Sequence, residues 1–333
     1  MDAFDRLRQF EVLSHLSGEL LDMLAEHTSP VRYAPDQKIL VEGEETRDAY
    51  LIDAGTVAIQ RMTPYGVYKL AELGPEQLFG ETSFLDGHPR SGDALAKTEV
   101  IVFPLSFEAL DRVFTTEQRL AIAFYWALWK SLSQKLRLTN KALAEFFSKK
   151  GATDAADRPS PSTAEPLKIG LTAKQQLFRE QTLSPMEINF LATLSKERKY
   201  GPDEYIFREG ETGDQLYVVL DGRVMISKVI VGAGEEALAF LGRGDYFGEM
   251  ALIDQKPRSA DAKAADGGAV VLSISREVLE GILDIQKVSS IRLLQLLCAL
   301  IAKRLREIDD KLVGWFIFSA GSGQTLGTPD RPA

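Results

Sequence analysis

Residues 79–81 read Phe-Gly-Glu, and residues 89–94 read Pro-Arg-Ser-Gly-Asp-Ala. The same pattern returns at residues 247–249 and 257–262, where an Ala replaces the Gly of the second stretch. In both copies the Arg follows the Glu by nine residues. A short motif can arise by chance, but two copies in matching positions of one chain are far less frequent. The pattern therefore indicates two related domains, each with its own copy of one site.

An internal repeat extends well beyond these stretches. Tyr-Ala-Pro-Asp at 33–36 matches Tyr-Gly-Pro-Asp at 200–203 with an offset of 167 residues, and the offset is 168 at the Phe-Gly-Glu stretches. One residue is therefore inserted in between, near turns of the kind that tolerate length changes. A period this long predicts two similar domains rather than a solenoid, whose units are shorter.

The repeat sets the predicted domain boundaries at 1–150 and 171–318. Residues 151–170 lie between the two domains and carry three prolines among Ser, Thr, Ala and Asp, a composition typical of a flexible linker. Residues 319–333 are rich in Gly, Ser, Thr and Pro and have little to bury. We therefore expect a disordered tail at 319–333.

Each repeat is predicted to run from a helix through strands and back to a helix. Ser17 can cap a short helix that ends near His27, and Ser184 precedes Pro185 and an acidic first turn in the same way. Short β-type runs separated by Gly or Asp turns follow, at 49–52, 56–61, 215–220, 223–230 and 269–275. The predicted fold class is mainly β with flanking helices, in the form of two β-jelly-roll (double-stranded β-helix) domains.

A long C-terminal helix is expected after the strands of each repeat. Apolar residues recur at alternating spacings of three and four between 129 and 146, and again between 291 and 315. The spacing indicates a coiled-coil seam, and it also fits a helix packed on its own domain. Two such helices predict either a pseudo-dimer within one chain or a homodimer between chains. We favour the homodimer, because closed two-fold dimers are the commonest assembly.

Composition excludes several classes of protein. The chain of 333 residues is 45% hydrophobic and 26% charged, which is the balance of a soluble globular protein. A formal net charge of −9 gives no general attraction to nucleic acid. No apolar stretch is long enough to span a bilayer, and the first residues do not resemble a secretion signal. With Cys298 as its single cysteine, the protein is expected in the cytoplasm.

Catalysis is not expected from the distribution of reactive side chains. The histidines are His15, His27 and His88, which are too widely separated to form a metal-ligand pattern. No arrangement of Ser, His and Asp suggests nucleophilic catalysis. We therefore predict no metal, no catalytic cofactor and no enzyme activity.

The residue types of the repeated motif suit a phosphate beside a sugar hydroxyl. A Gly-Glu step that opens a helical turn leaves backbone N–H groups unpaired near a ligand anion, and Gly allows the anion to approach closely. Arg90 and Arg258 can form charge-assisted hydrogen bonds to phosphate oxygens, and Ser91 and Ser259 add hydroxyls. The Glu can only accept hydrogen bonds, for which a sugar hydroxyl is a natural donor. A nucleotide satisfies both requirements.

Each motif closely resembles the phosphate-binding cassette of cyclic-nucleotide-binding domains, as found in catabolite-activator-type regulators, protein kinase A regulatory subunits and gated channels. The resemblance covers most of residues 10–148 and 175–316. It implies that the Glu holds the ribose 2′-hydroxyl, that the Arg pairs with the cyclic phosphate, and that the Gly backbone and the Ser hydroxyl add contacts. The ligand-binding residues implied in the two cassettes are Phe79, Gly80, Glu81, Thr82, Arg90, Ser91, Gly92, Phe247, Gly248, Glu249, Met250, Arg258, Ser259 and Ala260.

The resemblance also implies that the long helices cover the base. Residues 135–140 resemble a stretch of catabolite-activator-type proteins in which two hydroxyls reach adenine. Here Thr139 supplies one hydroxyl, and Asn140 replaces the other. The matching positions in the second repeat are Ile308 and Asp309, which lack the feature. We therefore expect base selectivity mainly in the first pocket.

The predicted function is that of a cyclic-nucleotide sensor that acts on an unidentified protein effector through its long helices. cAMP is favoured over cGMP because Ser91 and Ser259, rather than Thr, follow the arginines. Direct DNA binding is not expected, since no helix-turn-helix pattern follows the second long helix.

Two alternatives to this function stay open. The first is an interaction scaffold with degenerate, ligand-free pockets. The second is an inhibitor like a kinase regulatory subunit, although residues 5–10 match the basic inhibitor segment of those subunits poorly.

Overall fold

The structure is a computed structural model that describes residues 3–14, 16–148, 164–181, 183–230, 234–283 and 291–321. Most of the predicted linker and most of the predicted tail lie outside these residues. Within the predicted linker, Glu165–Pro166 forms a short strand, and within the predicted tail, 319–321 belongs to the last helix. Folded structure therefore extends a few residues into both segments.

Helices and strands follow one another in the predicted order. The helices are α1 (Ala3–Leu7), α2 (Gly18–Ala25), α3 (Glu81–Asp86), α4 (Phe107–Thr116), α5 (Gln118–Ser148), α6 (Leu171–Arg179), α7 (Pro185–Leu194), α8 (Met250–Asp254), α9 (Arg276–Ile282) and α10 (Ile291–Gly321), with a 3-10 turn at Glu11–Leu13. The strands are β1 (Val31–Tyr33), β2 (Lys38–Leu40), β3 (Ala49–Ala54), β4 (Val57–Thr63), β5 (Gly66–Leu73), β6 (Leu78–Phe79), β7 (Asp93–Ala96), β8 (Val100–Leu105), β9 (Glu165–Pro166), β10 (Lys196–Tyr200), β11 (Tyr205–Phe207), β12 (Gln215–Ile230), β13 (Gly234–Leu241), β14 (Tyr246–Phe247) and β15 (Asp261–Ser275).

The strands of the first repeat form two four-stranded antiparallel sheets. One sheet has the order β1-β8-β3-β6, and the other has the order β2-β7-β4-β5. Buried side chains from both sheets meet in one core, which is made of Leu40, Tyr50, Ile52, Val57, Leu73, Phe79, Ala94, Ala96, Val100 and Val102. The predicted jelly roll is confirmed in this repeat.

The second repeat has the same ladder with longer strands. β12 pairs with β15 from Gln215 to Ser227. These two strands correspond to β3, β4, β7 and β8 of the first repeat. β13 and β14 pair with β12, while β10 and β11 pair with β15. The core of this repeat is more aromatic and includes Tyr200, Phe207, Tyr217 and Phe247. Both repeats are therefore mainly β, with helices before and after the strands in the sequence.

One glycine in each repeat, between β3 and β4 and at the matching position within β12, permits a close approach of two backbone segments. Gly55 has a φ of 88°, and an added Cβ would lie 2.2 Å from the carbonyl oxygen of Glu99. Gly222 holds the matching position with a φ of 76°, and its Cβ would lie 2.2 Å from the carbonyl oxygen of Gly268. Only glycine combines the left-handed conformation with this close approach.

The short helices before the strands begin where the capping residues predict. Ser17 accepts a hydrogen bond from the Leu20 amide at 3.4 Å. Ser184 accepts from the Glu187 amide at 3.3 Å, and Glu187 accepts in return from the Ser184 amide at 2.7 Å. This second arrangement is a capping box with proline at the first helical position, which fixes the start of α7.

The long helices bury most of the apolar positions of the predicted seam, but Trp315 at its end is 38% exposed. Along α5, Trp129, Leu132 and Leu136 are all buried. Along α10, the buried positions of the pattern are Leu294, Cys298, Ile301, Leu305, Ile308 and Leu312. Within one chain the Cys298 thiol donates to the carbonyl of Tyr125 at 3.3 Å. This contact corresponds to the pseudo-dimer alternative, and the homodimer stays a prediction.

The chain divides into two compact units that do not follow the boundaries of the repeat. The first unit is formed by the described residues up to Thr139 together with those from Cys298 onward, and the second unit is formed by those from Asn140 to Leu297. The unit boundary therefore falls inside α5 and again inside α10. No helix in the described parts of the chain is long and apolar enough to cross a membrane.

Candidate functional site

The first cassette is a strand end, a glycine turn and a short helix. β6 ends at Phe79, whose ring stacks on Tyr50 with the centroids 5.1 Å apart. Gly80 follows with a φ of 79°, and Glu81 opens α3. A Cβ on Gly80 would lie 2.8 Å from the Asp48 carbonyl oxygen and 2.9 Å from Nη1 of Arg90. The glycine therefore lets the turn lie directly against the arginine.

Arg90 is buried and held by three hydrogen bonds. Its Nε donates to the hydroxyl of Thr46 at 2.8 Å, its Nη1 to the carbonyl of Gly80 at 2.9 Å, and its Nη2 to the carbonyl of Asp48 at 2.7 Å. The side chain is 3% exposed. The guanidinium is thereby fixed beside the turn, with further N–H donors of its fork left for a ligand anion.

The charge on Arg90 is only partly compensated by the protein. Burial lowers the pKa of Arg90, because a low-dielectric environment disfavours the charged form. Nearby Tyr50, Asp48 and Glu81 oppose this shift. An anion bound at the guanidinium would stabilise the buried charge further.

Glu81 is a buried carboxylate with one oxygen in use. Oε1 forms an ion pair with Nζ of Lys135 on α5, which also donates to the carbonyl of Leu78. Oε2 is buried and has no hydrogen-bond partner among the described residues. A buried acceptor without a partner costs about 1–3 kcal/mol. This oxygen is therefore suited to accept a hydrogen bond from a ligand hydroxyl.

The cassette opens into a pocket with about 900 Å³ of empty space, open solvent included. All seven predicted cassette residues of the first repeat line it: Phe79, Gly80, Glu81, Thr82, Arg90, Ser91 and Gly92. Apolar side chains of β2, β4 and β5 form one wall, and residues of α5 and α10 complete the lining. The pocket thus combines a charged end with an apolar interior, as small-molecule sites commonly do.

The second cassette repeats the backbone of the first. Gly248 has a φ of 80°, and the rings of Phe247 and Tyr217 stack with their centroids 5.1 Å apart. Arg258 is 5% exposed and donates to the carbonyl of Gly248 at 2.6 Å and to that of Gln215 at 2.9 Å. Burial lowers its pKa, as it does for Arg90. Glu249 and Ala260 are buried in the same cassette.

Comparison with known proteins identifies the two cassettes. The sequence profile described as "Cyclic nucleotide-binding domain" matches residues 30–117 and 197–286, and each match contains one cassette. The chain belongs to this family. It carries two cyclic nucleotide-binding domains in tandem, like those of protein kinase A regulatory subunits.

The chain matches only part of the length of each relative. A cyclic AMP receptor protein from Thermus thermophilus is 37% identical over 130 residues, which are 39% of this chain and 58% of that protein. A cAMP-dependent protein kinase regulatory subunit from Emericella nidulans is 28% identical over 267 residues, which are 76% of this chain and 52% of that protein. The chain therefore spans little more than half the length of either relative.

A solved structure also matches most of the chain. The regulatory domain of Toxoplasma gondii PKA, crystallised with cAMP, is 17% identical, and the match covers 88% of this chain and 93% of that one. The TM-score is 0.31, which is too low to carry a comparison of how the parts of the two chains are arranged.

Of the residues predicted to contact the base, the structure places Thr139 but not Asn140 at the first pocket. Thr139 lines the first cyclic nucleotide pocket, and its hydroxyl donates to the carbonyl of Lys135 at 3.0 Å. Asn140 is buried but does not line this pocket. Asp309, matched by the repeat to the second pocket, lines the first pocket instead, as does Leu305. The prediction for Asp309 was wrong because α10 from Cys298 onward belongs to the first compact unit.

Lys135 is a further site residue that the sequence did not identify. It lines the first pocket and neutralises one oxygen of Glu81. Lys135 lies four residues before Thr139 and therefore on the same helix face, so the sequence could have indicated that it faces the same pocket.

The second cyclic nucleotide-binding domain surrounds its arginine differently. Gly213 stands where the first domain has Thr46, and Nε of Arg258 has no hydrogen-bond partner among the described residues. Instead, the guanidinium carbon lies 4.2 Å from the centroid of the Phe207 ring. Such a contact between a cation and a ring is favourable by about 0.5–2 kcal/mol. The hydroxyl of Ser259 donates to the sulfur of Met250 at 3.5 Å.

The histidines do not form a metal site in the described part of the chain. His88 lies in the first cassette loop with its side chain 72% exposed, and its ring nitrogen contacts Asp86. His27 is exposed, and His15 lies outside the described residues. Within the described ranges no group of His, Cys, Asp and Glu side chains could hold a metal ion.

Proposed function

We propose that the chain is a cyclic-nucleotide sensor that binds cAMP at Arg90 and Glu81 and at Arg258 and Glu249. In this proposal the bound nucleotide acts on a protein effector through α5 and α10, without catalysis, in the cytoplasm. The observation that carries the proposal is the first pocket. There a buried guanidinium lies beside a buried carboxylate oxygen, Oε2 of Glu81, that has no partner among the described residues.

The two groups have opposite requirements that one ligand can meet. Arg90 offers a buried positive charge, which suits a phosphate, and Ser91 lines the same pocket. Oε2 of Glu81 can only accept, which suits a hydroxyl donor. A ribose 3′,5′-cyclic phosphate carries an anionic phosphate and a free 2′-hydroxyl on one rigid ring system. This chemistry supports a cyclic nucleotide over a free phosphate or a sugar alone.

Support for adenine as the base comes from the chain and from its relatives. Ser91 and Ser259 follow the arginines, and both named relatives carry cAMP in their names. The relatives support cAMP only by likeness, because the chain spans about half of each. The base is therefore part of the proposal and is tested separately from the phosphate.

Calorimetric titration of the dialysed protein with cAMP tests the proposal. We expect two sites in the wild type and one site in each of Arg90→Ala and Arg258→Ala, because each pocket loses its buried cation for the phosphate. A suitable control is Arg32→Ala, since Arg32 is exposed and pairs only at the surface with Glu99.

The outcomes separate the alternatives. Two sites of unchanged affinity in both arginine variants would contradict the assignment of the cassettes. A wild-type protein that binds neither cAMP nor cGMP would instead favour the interaction scaffold with degenerate pockets. Mass spectrometry of the native protein adds an independent check, because a nucleotide retained from the cell would identify the base directly.

A further inference from the structure

One basic side chain in each repeat reaches the cassette from a neighbouring strand. In the first repeat this is Arg61 of β4, and in the second it is Lys228 of β12, at the offset of 167 residues that the repeat has before the cassettes. Their side chains are mostly covered, with 16% and 13% exposed. Arg61 does not line the first pocket. A cation that is largely removed from water needs partners, and the partners of these two side chains correspond.

In the first repeat the cation connects the two segments between which Arg90 is held. Nε of Arg61 donates to the carbonyl of Ser91 and lies 3.6 Å from Oε1 of Glu42. The carbonyl of Arg90, next to Ser91, accepts from the amide of Gly43, next to Glu42, at 3.0 Å. Arg61 therefore connects the same two segments one residue away from the backbone contact that places Arg90.

The second repeat makes the same connection with a lysine. Nζ of Lys228 donates to the carbonyl of Ser259 at 3.3 Å and to Oε1 of Glu209 at 2.6 Å. The carbonyl of Arg258 accepts from the amide of Gly210 at 2.9 Å. Arginine and lysine differ in shape and in the geometry of their donors. What the two repeats share is therefore a cation that reaches one carbonyl of the cassette and one carboxylate of the facing segment.

The position of this cation follows from where the strand pairing ends. β4 pairs with β7 as far as Gln60 and Asp93, so the carbonyl of Ser91 lies beyond the last pair. The Arg61 side chain supplies the next donor along the strand. A hydrogen bond from a charged donor is stronger than one between neutral groups. The loop that carries the phosphate-binding groups is thereby held to the sheet.

In the first repeat the cation has one more contact, with the last helix. Nη1 of Arg61 donates to Oδ1 of Asp310 on α10 at 2.5 Å. The Asp310 side chain is 61% exposed, so this ion pair contributes little energy by itself. Because the guanidinium is planar and rigid, a contact at Nη1 also sets the direction of Nε. Asp310 therefore orients the donor that holds Ser91.

We infer that Arg61 and Lys228 are positioning residues for the phosphate. Each holds the loop with its cassette arginine and serine in the geometry that the cyclic phosphate requires, without contacting the ligand. The inference rests on the proposed function, since it needs a cyclic nucleotide in each pocket. Asp310 acts through Arg61, and its effect is confined to the first site.

Calorimetry of single-site proteins tests this inference, with Arg61→Met in an Arg258→Ala background and Lys228→Met in an Arg90→Ala background. Methionine keeps a long unbranched side chain but cannot donate a hydrogen bond. Affinity for cAMP should fall about fivefold to tenfold, because a charge-assisted hydrogen bond that holds the loop is lost. Arg61→Lys and Lys228→Arg exchange the cations of the two repeats and should stay within about twofold of the starting affinity.

The two diastereomers of adenosine 3′,5′-cyclic phosphorothioate distinguish positioning from a general loss of stability. They differ only in which exocyclic phosphate oxygen is replaced by sulfur, a weaker acceptor. A fixed loop contacts the two exocyclic positions unequally, so the affinities of the diastereomers should differ about tenfold. In Arg61→Met and Lys228→Met this ratio should decrease to about threefold or less. A fold that is merely destabilised would lower both affinities by the same factor and keep the ratio.

Asp310→Ala tests the contact with the last helix. It should lower affinity at the first site about twofold and leave the second site unchanged, since the pair is exposed. The matched control is Arg32→Met, which removes a cation of the first repeat that pairs with Glu99 at the surface. This variant should change neither the affinity for cAMP nor the ratio of the diastereomers.

The outcomes separate this inference from the proposed function. Unchanged affinity in Arg61→Met or Lys228→Met, or lower affinity with an unchanged diastereomer ratio, would overturn the inference, while loss of one site in Arg90→Ala left the proposed function standing. Because each repeat is tested separately, a variant that does not fold leaves the matching variant of the other repeat as the test. Absence of any cyclic nucleotide binding would overturn both.

Discussion

In the first cassette Nε of Arg90 donates to Thr46, whereas in the second cassette the matching residue is Gly213 and the guanidinium of Arg258 lies under the ring of Phe207. Both arginines keep their bonds to the carbonyl of the preceding glycine turn. The same motif is thus built into two surroundings, one polar and one aromatic. The comparison teaches that the spacing from Glu to Arg determines where the arginine lies, while residues far away in sequence determine how firmly it is held.

The largest effect is expected from closing the space beside Arg258. In Gly213→Ala, the new Cβ would lie 2.1 Å from Nε and 2.3 Å from Cζ of Arg258, so the guanidinium must move. Loss of two charge-assisted hydrogen bonds to a phosphate corresponds to a decrease in affinity of about a hundredfold or more. Calorimetry should show one cAMP site in place of two. Thr46→Ala at the matching position of the first repeat adds no atom beside its arginine and should keep two sites, the first of them weakened about fivefold by loss of the acceptor for Nε of Arg90.

Two full-affinity sites in Gly213→Ala would show that the guanidinium of Arg258 can move without losing the ligand, and would contradict this prediction.

A smaller effect is expected from removing the hydroxyl that accepts from Arg90 in the first cassette, a group that the second cassette lacks. Thr46→Val keeps the shape of the side chain but removes the acceptor for Nε of Arg90. Because a net hydrogen bond is worth about 1 kcal/mol, the affinity of the first site should fall about fivefold. Titration of the variant in an Arg258→Ala background measures this site alone. Thr116→Val, at the exposed end of α4, is the control, and equal affinity in the two variants would mean that Thr46 does not hold the arginine in the bound state.

The smallest effect is expected at the serine hydroxyls. Met250→Thr gives the second cassette the residue that the first has at Thr82, and it releases the hydroxyl of Ser259 from the sulfur of Met250. A sulfur is a weak acceptor, so affinity for cAMP at the second site should rise only about twofold to threefold. The reverse change, Thr82→Met, should lower affinity at the first site by a similar factor. A decrease in Met250→Thr would show that the methionine packs on the ligand rather than restraining the serine.

The local features of the fold could be predicted from the sequence because their causes are local. Ser17 and Ser184 cap their helices as expected, and the glycine of each Phe-Gly-Glu stretch adopts the left-handed turn. Regular spacing in α5 and α10 also predicted most of the buried positions of these helices, with Trp315 as an exposed exception. In each case the information lies within a few residues of the element that it determines.

The surroundings of the site could not be predicted in the same way. Asp309 was matched to the second pocket because the repeat aligns it with Asn140, but the alignment of two repeats does not say which pocket a residue of the last helix lines. The ion pair of Lys135 with Glu81 joins residues 54 positions apart, and it depends on how α5 packs on the sheet. Contacts of this kind are set by tertiary packing, which no spacing pattern contains.

The contacts of Arg306 with Asp86, Ser83 and Pro89 hold α10 against the first cassette, so a ligand that needs this docked position would be in thermodynamic linkage with the helix. A ligand that binds only while α10 is docked stabilises the docked state by RT ln(1 + [L]/Kd), which is about 2.7 kcal/mol at a hundred times Kd. Linkage is reciprocal, so a protein that binds α10 in an undocked position must weaken nucleotide binding by the same factor by which the nucleotide weakens its own. The strength of that coupling can be measured either as the effect of the partner protein on nucleotide affinity or as the effect of the nucleotide on the affinity for that partner.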